Sequence, residues 1–220
     1  MKSSIIFSIT FVAISSIIVS QFYQPENEIS TYIENSVPYV GTEIPRTDGL
    51  DGSGVKVAVI DTGVDFNHPD LLGWGPDGKV IGGYNFIQTN QLPMDKNGHG
   101  TKVAGIIAAD GSILGIAPKA KILAYKVSED GEGVSSELIS GAIEKAIEDE
   151  ADIINISLGV NRTNSKIDSA VNYALEKGIF VVTAAGNDGP ELKTIGSPGR
   201  NFESLTVGAT YNNMTSSLIA

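Results

Sequence analysis

Short runs rich in Val, Ile and Ala alternate with helical apolar stripes along this 220-residue chain, and that alternation constrains the fold more than any other feature. Residues 55–60, Val-Lys-Val-Ala-Val-Ile, follow the Asp51-Gly52-Ser53-Gly54 turn and suit a buried parallel strand. Further strands are expected at 79–86, 120–127, 152–158, 179–185 and 205–209. Between them, residues 136–150 set Ile139, Ala142, Ile143, Ala146 and Ile147 on one helical stripe, with Glu and Lys opposite. A second helix is expected from Ser165, which with Asp168 comes close to a capping box. It carries Ile167, Val171, Ala174 and Leu175 and stops before Gly178. This order predicts an α/β fold: a doubly wound, mostly parallel sheet with helices on both faces. In such sheets ligands bind beyond the carboxyl ends of the strands, so polar residues there are the first candidates for function.

Three such residues stand out. Asp61 closes the first run, before Thr62-Gly63, and a carboxylate at the end of a buried strand is unfavourable unless paired or solvated. Asn187 follows the 179–185 run in Gly186-Asn187-Asp188-Gly189. His99, one of only two histidines, lies between Gly98 and Gly100, where a loop becomes the apolar run of Val103, Ala104, Ile106, Ile107 and Ala108. The glycines let the chain turn sharply and let another group approach the ring. Thr101 is the expected N-cap of the helix. Taken alone, His99 is either a chemical group or a solvated turn residue. Together, an Asp, a His and an Asn amide on one rim make most of an acyl-transfer site. The Asp holds the imidazole in one tautomer, the His takes and returns a proton, and the amide N–H stabilises a developing oxyanion. No strand leads into Gly-x-Gly-x-x-Gly and there is no Walker A pattern, which removes dinucleotide and P-loop chemistry.

The formal charge of −11 disfavours nucleic acid and anionic membranes as partners. Without cysteine there is no disulfide, no thiol nucleophile and no cysteine-bound zinc. Lys2 precedes an uncharged apolar run over residues 5–20, short for a membrane helix and matched to a signal-peptide core. The expected order is residues 1–20 as signal peptide or N-terminal anchor, 21–50 as an extended approach segment, and 51–220 as the folded domain. The protein is expected outside the cell, or held on the outer face of its membrane by residues 5–20 if that run stays uncleaved.

Several motifs resemble those of the subtilisin-like serine proteases, the subtilases. They are Val57-Ala58-Val59-Ile60-Asp61-Thr62-Gly63-Val64-Asp65, His68-Pro69-Asp70-Leu71 and Asn97-Gly98-His99-Gly100-Thr101. Gly115-Ile116-Ala117-Pro118, Ile154-Asn155-Ile156-Ser157-Leu158-Gly159, Ala184-Ala185-Gly186-Asn187 and Leu205-Thr206-Val207-Gly208-Ala209 continue the series in family order. The resemblance implies a serine endopeptidase with Asp61 as triad acid, His99 as general base and Asn187 as oxyanion donor. Ser157, Leu158 and Gly159, with the loop of Gly131 and Gly133, would line a polypeptide substrate held as an extended strand. His68, in its His-Pro-Asp-Leu loop, takes no catalytic part. No cofactor is required, and calcium is expected at most as a structural ion at Asp70 and Asn35, although the loop at Asp110-Gly111-Ser112-Ile113 looks short for a full ligand set.

The chain departs from the family pattern in three ways. The Gly-Thr-Ser-Met-Ala segment that bears the family's nucleophile does not occur in the 220 residues, so the domain is expected to be C-terminally incomplete and inactive as it stands. Lys102 occupies a position where many subtilases carry a second histidine, a change expected to be tolerated. Residues 21–35 leave no room for the sizeable folding segment common in the family. Two readings follow: a serine endopeptidase represented by its N-terminal part, or a non-catalytic remnant that binds extended peptides.

Overall fold

The computed structural model describes residues 48–131, 133–189 and 191–208. The expected leader at 1–20, residues 21–47 with Asn35, and Ala209 lie outside the described residues.

Six strands form one sheet: β1 (Lys56–Asp61), β2 (Val80–Asn85), β3 (Lys121–Lys126), β4 (Ile153–Ile156), β5 (Phe180–Ala184) and β6 (Leu205–Val207). Their order is β2-β3-β1-β4-β5-β6, and every pairing is parallel. Three helices connect them: α1 (His99–Ala108), α2 (Ser136–Glu148) and α3 (Ser165–Glu176). Because β1 lies inside the sheet, with β3 on one side and β4 on the other, both its faces must be apolar. Successive side chains point to opposite faces, so Val57 and Val59 enter one core and Ala58 and Ile60 the other.

The first core also holds Ile122 and Ala124 of β3 and Ala104 and Ala108 of α1. The second holds the stripes of α2 and α3, including Ile139, Ile143, Ile167 and Val171. Each such isoleucine or valine contributes roughly 1.5–3 kcal/mol by leaving water. The helices therefore cover both faces, as the strand–helix alternation predicts. Two local expectations are corrected. Ile106 is 43% exposed, because the small residues Ala104 and Ala108 bring α1 down on the turn one residue away. The cap of α3 is Asn164, whose side chain accepts the N–H groups of Lys166 and Ile167. Among the described residues no helix is long and apolar enough to cross a membrane.

Candidate active site

The carboxyl ends of β1, β3, β4 and β5 open onto a cleft of about 570 Å³. Asp61 is the last residue of β1 and His99 the first of α1, so the topology itself brings them to the same rim. His99 Nδ1 lies 2.7 Å from Asp61 Oδ1. An ionised carboxylate can only accept, so this contact puts the ring proton on Nδ1 and leaves Nε2 free to take another. Asp61 is 1% exposed, whereas the His99 side chain is half exposed toward the cleft. The same Oδ1 accepts the Thr62 N–H at 2.7 Å, while the buried Oδ2 has no hydrogen bond among the described residues. Burial pushes the Asp61 carboxyl above the usual range, against the opposing pull of the His99 and Thr62 bonds.

The approach of the helix depends on glycine. A Cβ on Gly100 would stand 2.1 Å from the Gly63 carbonyl oxygen and 3.0 Å from the Asp61 Cβ. Gly98 has φ +100° and is the N-cap of α1, with no side-chain cap. Thr101 is therefore not the N-cap. It lies one turn further in, where its hydroxyl donates to Asp95 Oδ2 at 2.6 Å and accepts the Asp65 N–H at 2.9 Å.

Three residues that sequence reasoning passed over hold this rim together. Asp95 is 8% exposed and accepts from Thr62 Oγ1 and from the N–H groups of Asn97, Gly98 and Thr101, besides the Thr101 hydroxyl. Burial alone would raise its pKa. The bonds from Thr101, Gly98 and Asn97 outweigh that effect and hold the carboxyl below the usual range. Thr62 Oγ1 also accepts the Gly100 N–H at 3.0 Å. Lys126, 1% exposed at the end of β3, donates to the Thr62 carbonyl at 2.7 Å and pairs with Glu129 at 3.1 Å. Only Asp95 left a sequence signal: an aspartate two residues before Asn97 in a glycine loop is the pattern of an Asx turn.

Asn187, Ser157, Leu158, Gly159 and Gly131 all line the cleft; Gly133, with φ +61°, lies outside the described lining. Past β4 the chain runs along the cleft and meets the 196–199 loop, where Val160 N–H donates to the Ser197 carbonyl at 2.8 Å. A Cβ on Gly159 would stand 2.7 Å from that carbonyl, and one on Gly196 would stand 1.8 Å from the Val160 carbonyl, so both glycines are needed for the contact. His68 caps the Pro69–Leu71 turn, its Nδ1 accepting the Asp70 N–H at 3.2 Å. Asp70 is buried, and its Oδ1 accepts the Ser112 N–H at 2.6 Å. Among the described residues no group of three or more acidic or histidine side chains gathers as a metal cage.

A buried aspartate bonded to a half-exposed histidine thus stands beside a cleft at the carboxyl ends of a parallel sheet in an α/β domain. The chain belongs to the subtilase family, whose model matches residues 52–218. It is 40% identical over 199 residues to the minor extracellular protease Vpr of Bacillus subtilis, covering 84% of this chain and 24% of that one. It is 44% identical over 170 residues to thermitase of Thermoactinomyces vulgaris, covering 76% and 58%. Among solved structures, sphericase matches with a TM-score of 0.56 at 40% identity, covering 72% of this chain and 53% of that one. The chain thus spans between about a quarter and three fifths of these relatives.

Proposed function

We propose that the described rim is the acid, base and oxyanion side of a serine endopeptidase that hydrolyses peptide bonds through an Asp-His-Ser triad. The observation that carries this reading is the 2.7 Å contact between His99 Nδ1 and the buried Asp61 carboxylate. Asp61 fixes the tautomer and stabilises the imidazolium. His99 Nε2 takes the proton of a serine hydroxyl and returns it to the leaving amine. The Asn187 amide donates to the oxyanion. The strand ends at Ser157, Leu158 and Gly159, with the Gly131 loop, pair with an extended polypeptide. Asp130 and Asp188 line the cleft without a Lys or Arg among its described lining, which suits basic or polar substrate side chains.

The 220 residues contain no Gly-Thr-Ser-Met-Ala segment. Of the two serines in the described lining, Ser157 Oγ accepts from Asn155 Nδ2 at 2.8 Å, and Ser197 is 1% exposed with its Oγ accepting the Asn164 N–H. Among the described residues neither is hydrogen-bonded to His99. On this reading the 220 residues supply the cleft, the acid and the base, and no nucleophile for hydrolysis. Export directed by residues 1–20 completes this reading, in line with the name of the extracellular relative. Mass spectrometry after treatment with reactive probes tests both halves. A peptidyl chloromethyl ketone should alkylate His99 and spare His68, and a fluorophosphonate should leave the polypeptide unlabelled. Equal alkylation of the two histidines, or none at His99, contradicts the cleft and base; fluorophosphonate labelling contradicts the lack of a nucleophile.

A further inference from the structure

We infer that Asp95 is the positioning residue of this site, setting the His99–Asp61 contact through Thr62 without touching substrate. The inference rests on reading His99 as the general base. Asp95 is bonded to both sides of the pair. Its Oδ1 accepts the Thr62 hydroxyl at 3.0 Å, and Thr62 directly follows Asp61. The same oxygen accepts the Asn97 and Gly98 N–H groups, the two residues before His99. Its Oδ2 accepts the N–H and hydroxyl of Thr101, two residues after His99. The bridge is closed by the Gly100 N–H, which donates to the Thr62 hydroxyl oxygen.

Each link is needed because neither end is self-supporting. At the α1 N-terminus Gly98 occupies the cap position and brings no side chain, and the local Asn97 Oδ1 accepts only the His99 N–H, at 3.1 Å. A carboxylate carried in from the preceding loop accepts the Gly98 and Thr101 N–H groups and places negative charge at the positive end of the helix. It reaches the strand only through the Thr62 hydroxyl, whose one proton goes to Asp95 while its oxygen accepts from Gly100. The His99 ring is half exposed, so its own packing does not fix it against Asp61. A carboxylate is the only side chain of this size that accepts five hydrogen bonds. An amide at position 95 would turn N–H donors toward the Thr101 N–H, donor against donor.

The two imidazoles give the test an internal control. His99 is held with its proton on Nδ1. His68 accepts at Nδ1 and carries its proton on Nε2. Long-range ¹H–¹⁵N NMR of the ¹⁵N-labelled chain distinguishes these tautomers. In Asp95→Asn, the His99 signal should shift from the Nδ1–H toward the Nε2–H pattern while the His68 signal stays unchanged. Thr62→Val cuts only the link to the strand and should give the same shift, with rescue by Thr62→Ser; it decides the matter if Asp95→Asn does not fold. A turnover-competent form carrying Asp95→Asn should lose kcat with KM little changed. Retention of the Nδ1–H pattern by His99 in a folded Asp95→Asn or Thr62→Val variant overturns the inference. Absence of that pattern in the unsubstituted chain instead overturns the reading of His99 as general base.

Discussion

Asp61 and Asp95 are both buried aspartates beside His99, and the protein treats them in opposite ways. Asp95 is saturated: both oxygens are bonded, and its pKa is held down. Asp61 is answered less fully: among the described residues only Oδ1 is hydrogen-bonded, and burial pushes its pKa up. A carboxylate whose charge is fully answered by fixed dipoles stabilises the fold and has little left to give a passing charge. One that is under-coordinated opposes folding when ionised, and gains most when a positive charge forms on the neighbouring ring. The contrast separates the residue that serves chemistry from the residue that serves geometry, on one rim of the sheet.

The largest expected effect breaks the chemical side of this contrast. In a turnover-competent form, Asp61→Asn should lower kcat by about 10⁴, the loss known when the acid of a trypsin-like triad becomes an amide. Its stability should move the other way. Because the folded pKa of Asp61 lies above the unfolded value, the ionised group opposes folding at pH values above the folded pKa. A thermal melt at pH 7 should therefore show Asp61→Asn no less stable than the unsubstituted chain. A clear drop in Tm would mean that Asp61 too is a structural carboxylate.

Asp95→Asn should do the reverse, losing about 2–4 kcal/mol at pH 7 by breaking a buried, charge-assisted network. At roughly 2–4 °C per kcal/mol for a domain of this size, the melt should fall by about 5–15 °C. The folded pKa of Asp95 is lowered, so its contribution is present above the unfolded carboxylate value of about 3.9 and is lost as pH falls through the folded value. The gap between the two melts should close in acid. A gap that persists there would trace the loss to packing and not to charge.

The glycines sharpen the same comparison on a smaller scale. Gly100→Ala forces a Cβ onto the Gly63 carbonyl and the Asp61 side chain, and should cost about 1–3 kcal/mol while lengthening the His99–Asp61 contact. Gly98→Ala meets open space and pays only for its positive φ, roughly 1–2 kcal/mol. Denaturant melts rank the two, and the His99 NMR signal should shift only in Gly100→Ala. Smallest of all, Lys102→His alters an exposed side chain and should leave both the melt and the His99 tautomer unchanged.

The sheet was legible in the sequence because the middles of β1 and β3, residues 57–60 and 122–125, are buried on both faces and run apolar, with charged residues only at the strand ends. Asp61 and His99 were legible for the converse reason: each is a polar residue where the backbone pattern demanded an explanation. What escaped the sequence was what depends on distance in space. Thr101 has the chemistry of an N-cap, but the cap falls three residues earlier, at Gly98, because Gly100 can slide under the Gly63 carbonyl. Thr62 and Lys126 read as ordinary strand-end residues, and Asp95 as no more than the start of an Asx turn. Their roles exist only once β1, β3 and the loop before α1 converge, 33 positions separating Asp95 from Thr62 and 64 separating Lys126 from it.

The central claim is that Asp61 orients His99 as a base, and the imidazole NMR spectrum of the unsubstituted chain beside that of Asp61→Asn tests it most directly. The account predicts one ring with its proton on Nδ1, lost in Asp61→Asn, and a second ring, His68, with its proton on Nε2 in both. Two rings of the Nε2–H pattern in the unsubstituted chain, or a His99 signal indifferent to the loss of the Asp61 carboxylate, would contradict it.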